Sequence, residues 1–329
     1  MCGERRRVNR TPRALGFGAG FAALAATACL TLPGHDSAEA RAVAFLSREV
    51  PAWSRENRCF SCHNNGDAAR ALLLASRRGF AVPRSALADT LAWVSRPATW
   101  DDNKGDPAFS DKRLANIQFA TTLGAAFVAG RVRDIEPLRV AARRVAADQS
   151  SDGSWPVHPP GTVGTPATHG TALATHVAIQ SLQQAGGIEF VAAIESGQRW
   201  LRAAPANSVP DAAALVLALK DAADPAAERQ RSRAMDLIRS SQGSDGGWGP
   251  FPDSPPEAFD TALALLALWE LRGAPGTGSM IRRGRAFLVG SQNPDGSWQE
   301  STRPVKAESY AQRISTTGWA TQALLATRE

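Results

Sequence analysis

Six stretches of the chain, 67–77, 114–128, 168–184, 210–222, 259–272 and 314–327, are rich in alanine and leucine. Each follows the end of another helix and a turn, so the pattern predicts six helix hairpins. The best-defined unit runs from Arg283 to Trp298: a helix end, a tight Asp295-Gly296 turn, and a tryptophan that returns to the helix. Pro294 and Gly296 forbid continuation of the helix. Gln292 stands where the helix runs out of partners for its last carbonyls, and its amide is expected to satisfy them. The apolar run from Ile314 to Thr327 then supplies the antiparallel partner.

The unit recurs. Arg233-Ala234, Leu237-Ile238, Gln242, Asp245-Gly246 and Trp248 repeat it at the same offsets; Gln149, Asp152-Gly153 and Trp155 repeat its second half; and Arg41 to Leu46 repeats its first half. Weaker copies hold Trp93-Val94 and Gly197 to Leu201. The aligned positions 45, 93, 144, 200, 237 and 287 recur roughly every 50 residues, the mark of a repeat architecture. The consensus R-G-x2-F-L-x3-Q-x3-G-x-W resembles the Gln-Trp repeat of the terpenoid cyclase and protein prenyltransferase superfamily. The resemblance covers residues 41 to 329 and implies an all-α fold, an α6/α6 toroid of six inner and six outer helices. Alternating helices make the inner six parallel, so Cys59–His63, His169, Asp211, Asp260 and Thr316 are expected to ring one rim. Six helix N-termini there favour anions. Asp67, Asp211 and Asp260 read as N-caps.

Upstream of the repeats, Arg5, Arg6, Arg7, Arg10 and Arg13 precede an apolar run from Ala14 to Leu32, and Ala38-Glu39-Ala40 is a small-x-small site. Residues 1–40 therefore read as a secretory signal peptide, with a periplasmic or secreted mature chain and no transmembrane anchor. A lipoprotein signal at Ala26-Thr27-Ala28-Cys29 is the alternative. The formal charge is +6 over 329 residues, and five arginines and three acids leave with residues 1–40. No basic tract is interleaved with aromatics, so nucleic acid has no support as a partner.

The first repeat lacks a clasp and carries Cys59-Phe60-Ser61-Cys62-His63 instead. C-x-x-C-H is the attachment sequence of c-type haem: two thiols for thioethers, and His63 as proximal iron ligand. Of four cysteines, Cys2 and Cys29 fall within the leader, so the motif pair alone remains after export. The expectation is one covalent haem c per chain, with His169 or His176, seven apart on one helix face, as the opposite ligand. A Cys59–Cys62 disulfide and a zinc site lacking its fourth ligand are the other readings of the motif. Met235 and Met280 are poorly placed as axial ligands, and His158 lies on a Pro-rich loop.

The Asp-x-Asp-Asp acid of the superfamily's class II cyclases has no counterpart here. Asp101-Asp102 with Asp106 reads as a solvated loop. The aromatic wall that stabilises carbocations is also thin, with one tyrosine, Tyr310, and most tryptophans committed to the repeats. The expected function is an exported c-type haem protein serving electron transfer or haem-dependent sensing or chemistry, with a redox partner protein. The alternative is an enzyme or binding protein for an isoprenoid or other apolar ligand in the toroid cavity, or a cell-envelope scaffold with a structural cysteine pair.

Overall fold

The computed structural model describes residues 37–103, 111–157, 170–301 and 309–328. Among them every regular element is helical, and the one isolated β-bridge joins Gln242 to Trp248. Six outer helices, α1 (Ala38–Asn57), α3 (Ala88–Val94), α5 (Glu136–Ala147), α7 (Val191–Ala203), α9 (Pro225–Ser240) and α11 (Thr277–Gly290), alternate with six inner ones. The inner helices are α2 (Ala69–Arg77, entered through a π-helical segment Cys62–Ala68), α4 (Lys112–Val128), α6 (Thr171–Ala185), α8 (Val209–Leu219), α10 (Ala258–Glu270) and α12 (Tyr310–Ala326). Each inner helix packs on the next, and α12 returns to the π segment and α2, so the ring closes. The fold is an α/α toroid.

Composition decides which helix lies inside. Inner α10 buries ten of its 13 residues, whereas outer α9 buries five of 16. A helix apolar all round needs cover on every side, and an amphipathic one needs it on a single stripe.

The three Gln-Trp clasps are built alike, and they correct one expectation. The tryptophan indole, not the glutamine, satisfies the end of the outer helix: Trp155, Trp248 and Trp298 donate through Nε1 to the carbonyls of Val145 (2.6 Å), Ile238 (2.7 Å) and Leu288 (2.7 Å). Each tryptophan backbone N–H donates to an inner-helix threonine, Thr175, Thr261 or Thr317. The glutamine instead reaches forward. Gln149, Gln242 and Gln292 each donate to the glycine carbonyl four residues on, and also to the first turns of the next outer helix, at Ala193, Met280 and Ala38. In two clasps the next helix answers, with Arg283 donating to Gln242 Oε1 and Arg41 to Gln292 Oε1.

Glycine is required at the turn of this joint and, in two of the three joints, at the seat of the indole. Gly153, Gly246 and Gly296 hold φ of 95°, 93° and 92°, in the left-handed region that side chains with a Cβ avoid. Gly197 and Gly284 lie flat against the preceding tryptophan: a Cβ on Gly284 would stand 2.7 Å from Trp248 Cζ3, and one on Gly197 3.0 Å from Trp155 Cζ3. In these two joints the glycine is thus the seat for the previous unit's indole, and in the third Ala42 stands at that place.

Residues 37–40, which read as the end of a leader, form the cap and first turn of α1: Ser37 Oγ accepts from the Ala40 N–H at 3.1 Å. Among the described residues no helix is long and apolar enough to cross a membrane.

Candidate functional site

The first inner helix begins abnormally. Ser61 caps it, accepting from the His63 N–H at 3.2 Å, and the seven residues Cys62–Ala68 follow in π-helical form. π-helical turns are rare and concentrate at functional sites. Here the wider turn carries Cys62, His63, Asn64 and Asp67 between α4 and α12.

His63 is half-buried, with Nδ1 3.2 Å from Ser61 Oγ and 3.5 Å from Cys62 Sγ. Burial pulls its imidazole below the usual value, with Asp67 partly opposing. In the tautomer with its proton on Nδ1, donated to Ser61 Oγ, the neutral ring keeps the Nε2 lone pair free. Burial, then the charges of Asp67 and Asp111, push the Cys62 thiol up to about 12, so it is a protonated thiol rather than a nucleophilic thiolate. That thiol is free. A Cys59–Cys62 bridge is therefore not formed. Among the described residues no cluster of three or more His, Cys, Asp or Glu side chains could hold a metal ion, which leaves the zinc reading without support there.

His63 and Cys62 fit the haem expected from the motif: a neutral imidazole with Nε2 available, and a protonated thiol. Haem, when bound, would supply a redox-active iron at His63.

Behind the motif lies a buried polar network. Asp67 accepts from Arg70 at 2.5 Å and from Ser315 Oγ at 2.6 Å, and Arg70 donates to Gln118 Oε1 at 2.6 Å. Gln322 donates to the Asp67 carbonyl and Thr122 to that of Gly66. This network ties the first, second and sixth hairpins together. Asn64 stands outside it: the side chain is wholly buried, and neither Oδ1 nor Nδ2 has a hydrogen-bond partner. Such a group costs about 1–3 kcal/mol unless something satisfies it.

Aromatic side chains gather beside the motif. Phe60 stacks on Trp93 at 4.6 Å, Trp93 meets Phe119 edge-on at 6.1 Å, and Trp100 lies 5.4 Å from Phe119. On the inner helices Phe259 meets Trp319 edge-on at 5.7 Å, and the Arg70 guanidinium lies over Trp319 at 5.4 Å. These aromatic contacts all lie outside the three clasps.

The other expected site residues scatter. His176 is buried on α6, which α4 separates from the π segment, and burial lowers its pKa to about 4. His158, His169 and Asp106 lie outside the described residues. None of the three aspartates is an N-cap. Asp67 belongs to the ion pair; Ser208 caps α8, with Asp211 accepting from its hydroxyl at 2.8 Å; and Glu257 precedes α10, where Asp260 is wholly buried. Burial raises the Asp211 carboxyl. Asp101 is exposed and paired with Arg144 at 2.7 Å, in keeping with a solvated loop.

A closed double ring with Gln-Trp clasps is a terpenoid-cyclase-like α/α toroid. Residues 180–302 match the squalene-hopene cyclase C-terminal domain. Drimenyl diphosphate synthase of Streptomyces showdoensis is 36% identical over 80 residues, which are 24% of this chain and 14% of that enzyme, so the chain spans about one-seventh of its length. Among solved structures, the type II terpene cyclase MstE from Scytonema superposes with a TM-score of 0.55 at 13% identity, covering 88% of this chain and 96% of that one. An unsaturated glucuronyl hydrolase specific for heparin gives 0.59 at 11% identity, covering 89% and 97%. A protein from Actinoplanes gives 0.54 at 19% identity, covering 88% and 98%. These structural likenesses concern the fold.

Proposed function

We propose that this protein binds an apolar ligand of the isoprenoid class inside its toroid, with the polar end of the ligand at the π-helical mouth. The observation that carries the reading is the squalene-hopene cyclase match over residues 180–302, on a closed ring of helices. The drimenyl diphosphate synthase segment points to the same ligand class. Two features of the site support it. The aromatic set Phe60, Trp93, Trp100 and Phe119 packs beside the motif, and Asn64 holds an unsatisfied amide there. Cyclisation is not part of the proposal, because the chain has no Asp-x-Asp-Asp acid. Titration of the purified protein with farnesol or geranylgeraniol, followed by tryptophan emission, should saturate at one ligand per chain. Emission unchanged up to the solubility limit of both alcohols would refute the proposal.

A second reading keeps haem at the motif, for electron transfer or haem-dependent sensing with a redox partner. His63 favours it, because its pKa is lowered by burial and, with the proton on Nδ1 toward Ser61 Oγ, its Nε2 lone pair is left for iron. Its natural setting is the periplasm or the medium, where haem attachment takes place. After expression with the haem-attachment machinery, the protein should stay red through acid-acetone extraction. A colourless product would exclude this reading and leave the first intact.

A further inference from the structure

We infer that processing of the exported chain leaves Ser37–Ala40 in place, because these residues are the socket into which the sixth hairpin closes the ring. The inference is independent of which ligand the toroid holds.

The geometry is that of the other two clasps, transposed to the chain's beginning. Gln149 donates to Ala193 of α7, Gln242 to Met280 of α11, and Gln292 to Ala38 of α1 at 2.8 Å. Three residues beyond each acceptor stand Ser196, Arg283 and Arg41. A Cβ on Gly153 or Gly246 would stand 2.6 Å from the carbonyl oxygen of Ser196 or Arg283, and Arg41 is the nearest backbone to Gly296 in the same way. Ala38, Met280 and Ala193 are therefore equivalent, and the ring is completed by repeat chemistry rather than by a special contact.

The socket has a further lock. Glu39, 7% exposed, pairs with Arg285 at 3.1 Å, and Arg285 also donates to the Leu324 carbonyl and to Thr327 Oγ1. Ser37 caps the turn, and Ala38 lies in the same apolar core as Trp298. Scission after Ala40 would remove the cap, the Gln292 acceptor and the Arg285 counter-ion together. It would leave Gln292 with one of its two amide acceptors and a half-buried guanidinium without its carboxylate. The small-x-small sequence Ala38-Glu39-Ala40 is on this account a helix turn that resembles a processing site.

The test is the intact mass of the protein recovered from the envelope fraction and the medium after expression of the full chain. An N-terminus at Ser37 or upstream supports the inference, and one at Ala38, Glu39, Ala40 or Arg41 overturns it. A second measurement compares chains produced to begin at Ser37 and at Arg41. The chain beginning at Arg41 should melt several degrees lower and be cut faster by protease within α1. Equal melting midpoints and equal cleavage rates would overturn the inference.

Discussion

Gly284→Ala adds one methyl group to α11, and its effect should have the opposite sign to the same change six residues on. In an open helical position, replacing glycine by alanine stabilises by up to about 1 kcal/mol. Gly290, at the end of α11, is such a position, since a Cβ there meets nothing within 4 Å. At Gly284 the new atom would stand 2.7 Å from Trp248 Cζ3 and 3.0 Å from Leu265 Cδ2, both wholly buried. Neither can retreat, and overpacking of this kind costs about 1–3 kcal/mol. Gly284→Ala should therefore be neutral to about 2 kcal/mol destabilising, and the two variants should differ by about 1–3 kcal/mol. Urea denaturation followed by far-UV circular dichroism reads this directly, provided the slopes agree. Adding Trp248→Phe, which removes the ring bearing Cζ3, should shrink the Gly284→Ala penalty. Equal stabilisation by both alanines would show that Gly284 is not the seat of the preceding indole.

Trp298→Ala should cost about 3–5 kcal/mol, because the ring is fully buried and its Nε1 holds the Leu288 carbonyl; a denaturation midpoint close to that of the parent would make the clasp dispensable. His176 is predicted to impose a pH dependence on stability. Its folded pKa, about 4, lies below the ordinary 6.5, so the unfolded chain takes the proton first. Stability should be full above about pH 6.5 and fall by about 3 kcal/mol as pH drops through 4; His176→Gln should flatten that slope in denaturation curves, and an unchanged slope would assign it elsewhere. Asn64→Leu should raise the melting temperature of the ligand-free protein, by about 1–3 kcal/mol of stability, since it removes an unsatisfied buried amide. The same variant should bind the isoprenoid alcohol more weakly, and a variant that binds normally would remove Asn64 from the site.

The hairpins were legible because their signals are local and repeated. Alanine- and leucine-rich stretches located α4, α6, α8, α10 and α12 to within a few residues, and the glycines at 153, 246 and 296 marked their turns through a backbone angle that other residues avoid. Partners across the joint were not legible in this way. Gln292 was assigned to its own helix, although its second acceptor, Ala38, lies 254 positions away. Asp67 read as a cap because nothing nearby in sequence reveals Ser315, 248 positions off, which completes its pairing with Arg70. The caps of α8 and α12 are serines three residues ahead of the polar groups that answer them, Ser208 before Asp211 and Ser309 before Gln312. At the candidate site, Cys62 and His63 stood out by their spacing, whereas the π turn and the unsatisfied Asn64 depend on how α4 and α12 pack around them. Propensity carries no record of that.

The most direct test of an apolar ligand site is isothermal titration of the full chain with farnesol at several temperatures. Saturable binding at one site, with a heat-capacity change that is negative because apolar surface leaves water, is the predicted result. Absence of saturable heat across the range, or binding with no heat-capacity change, would contradict the account.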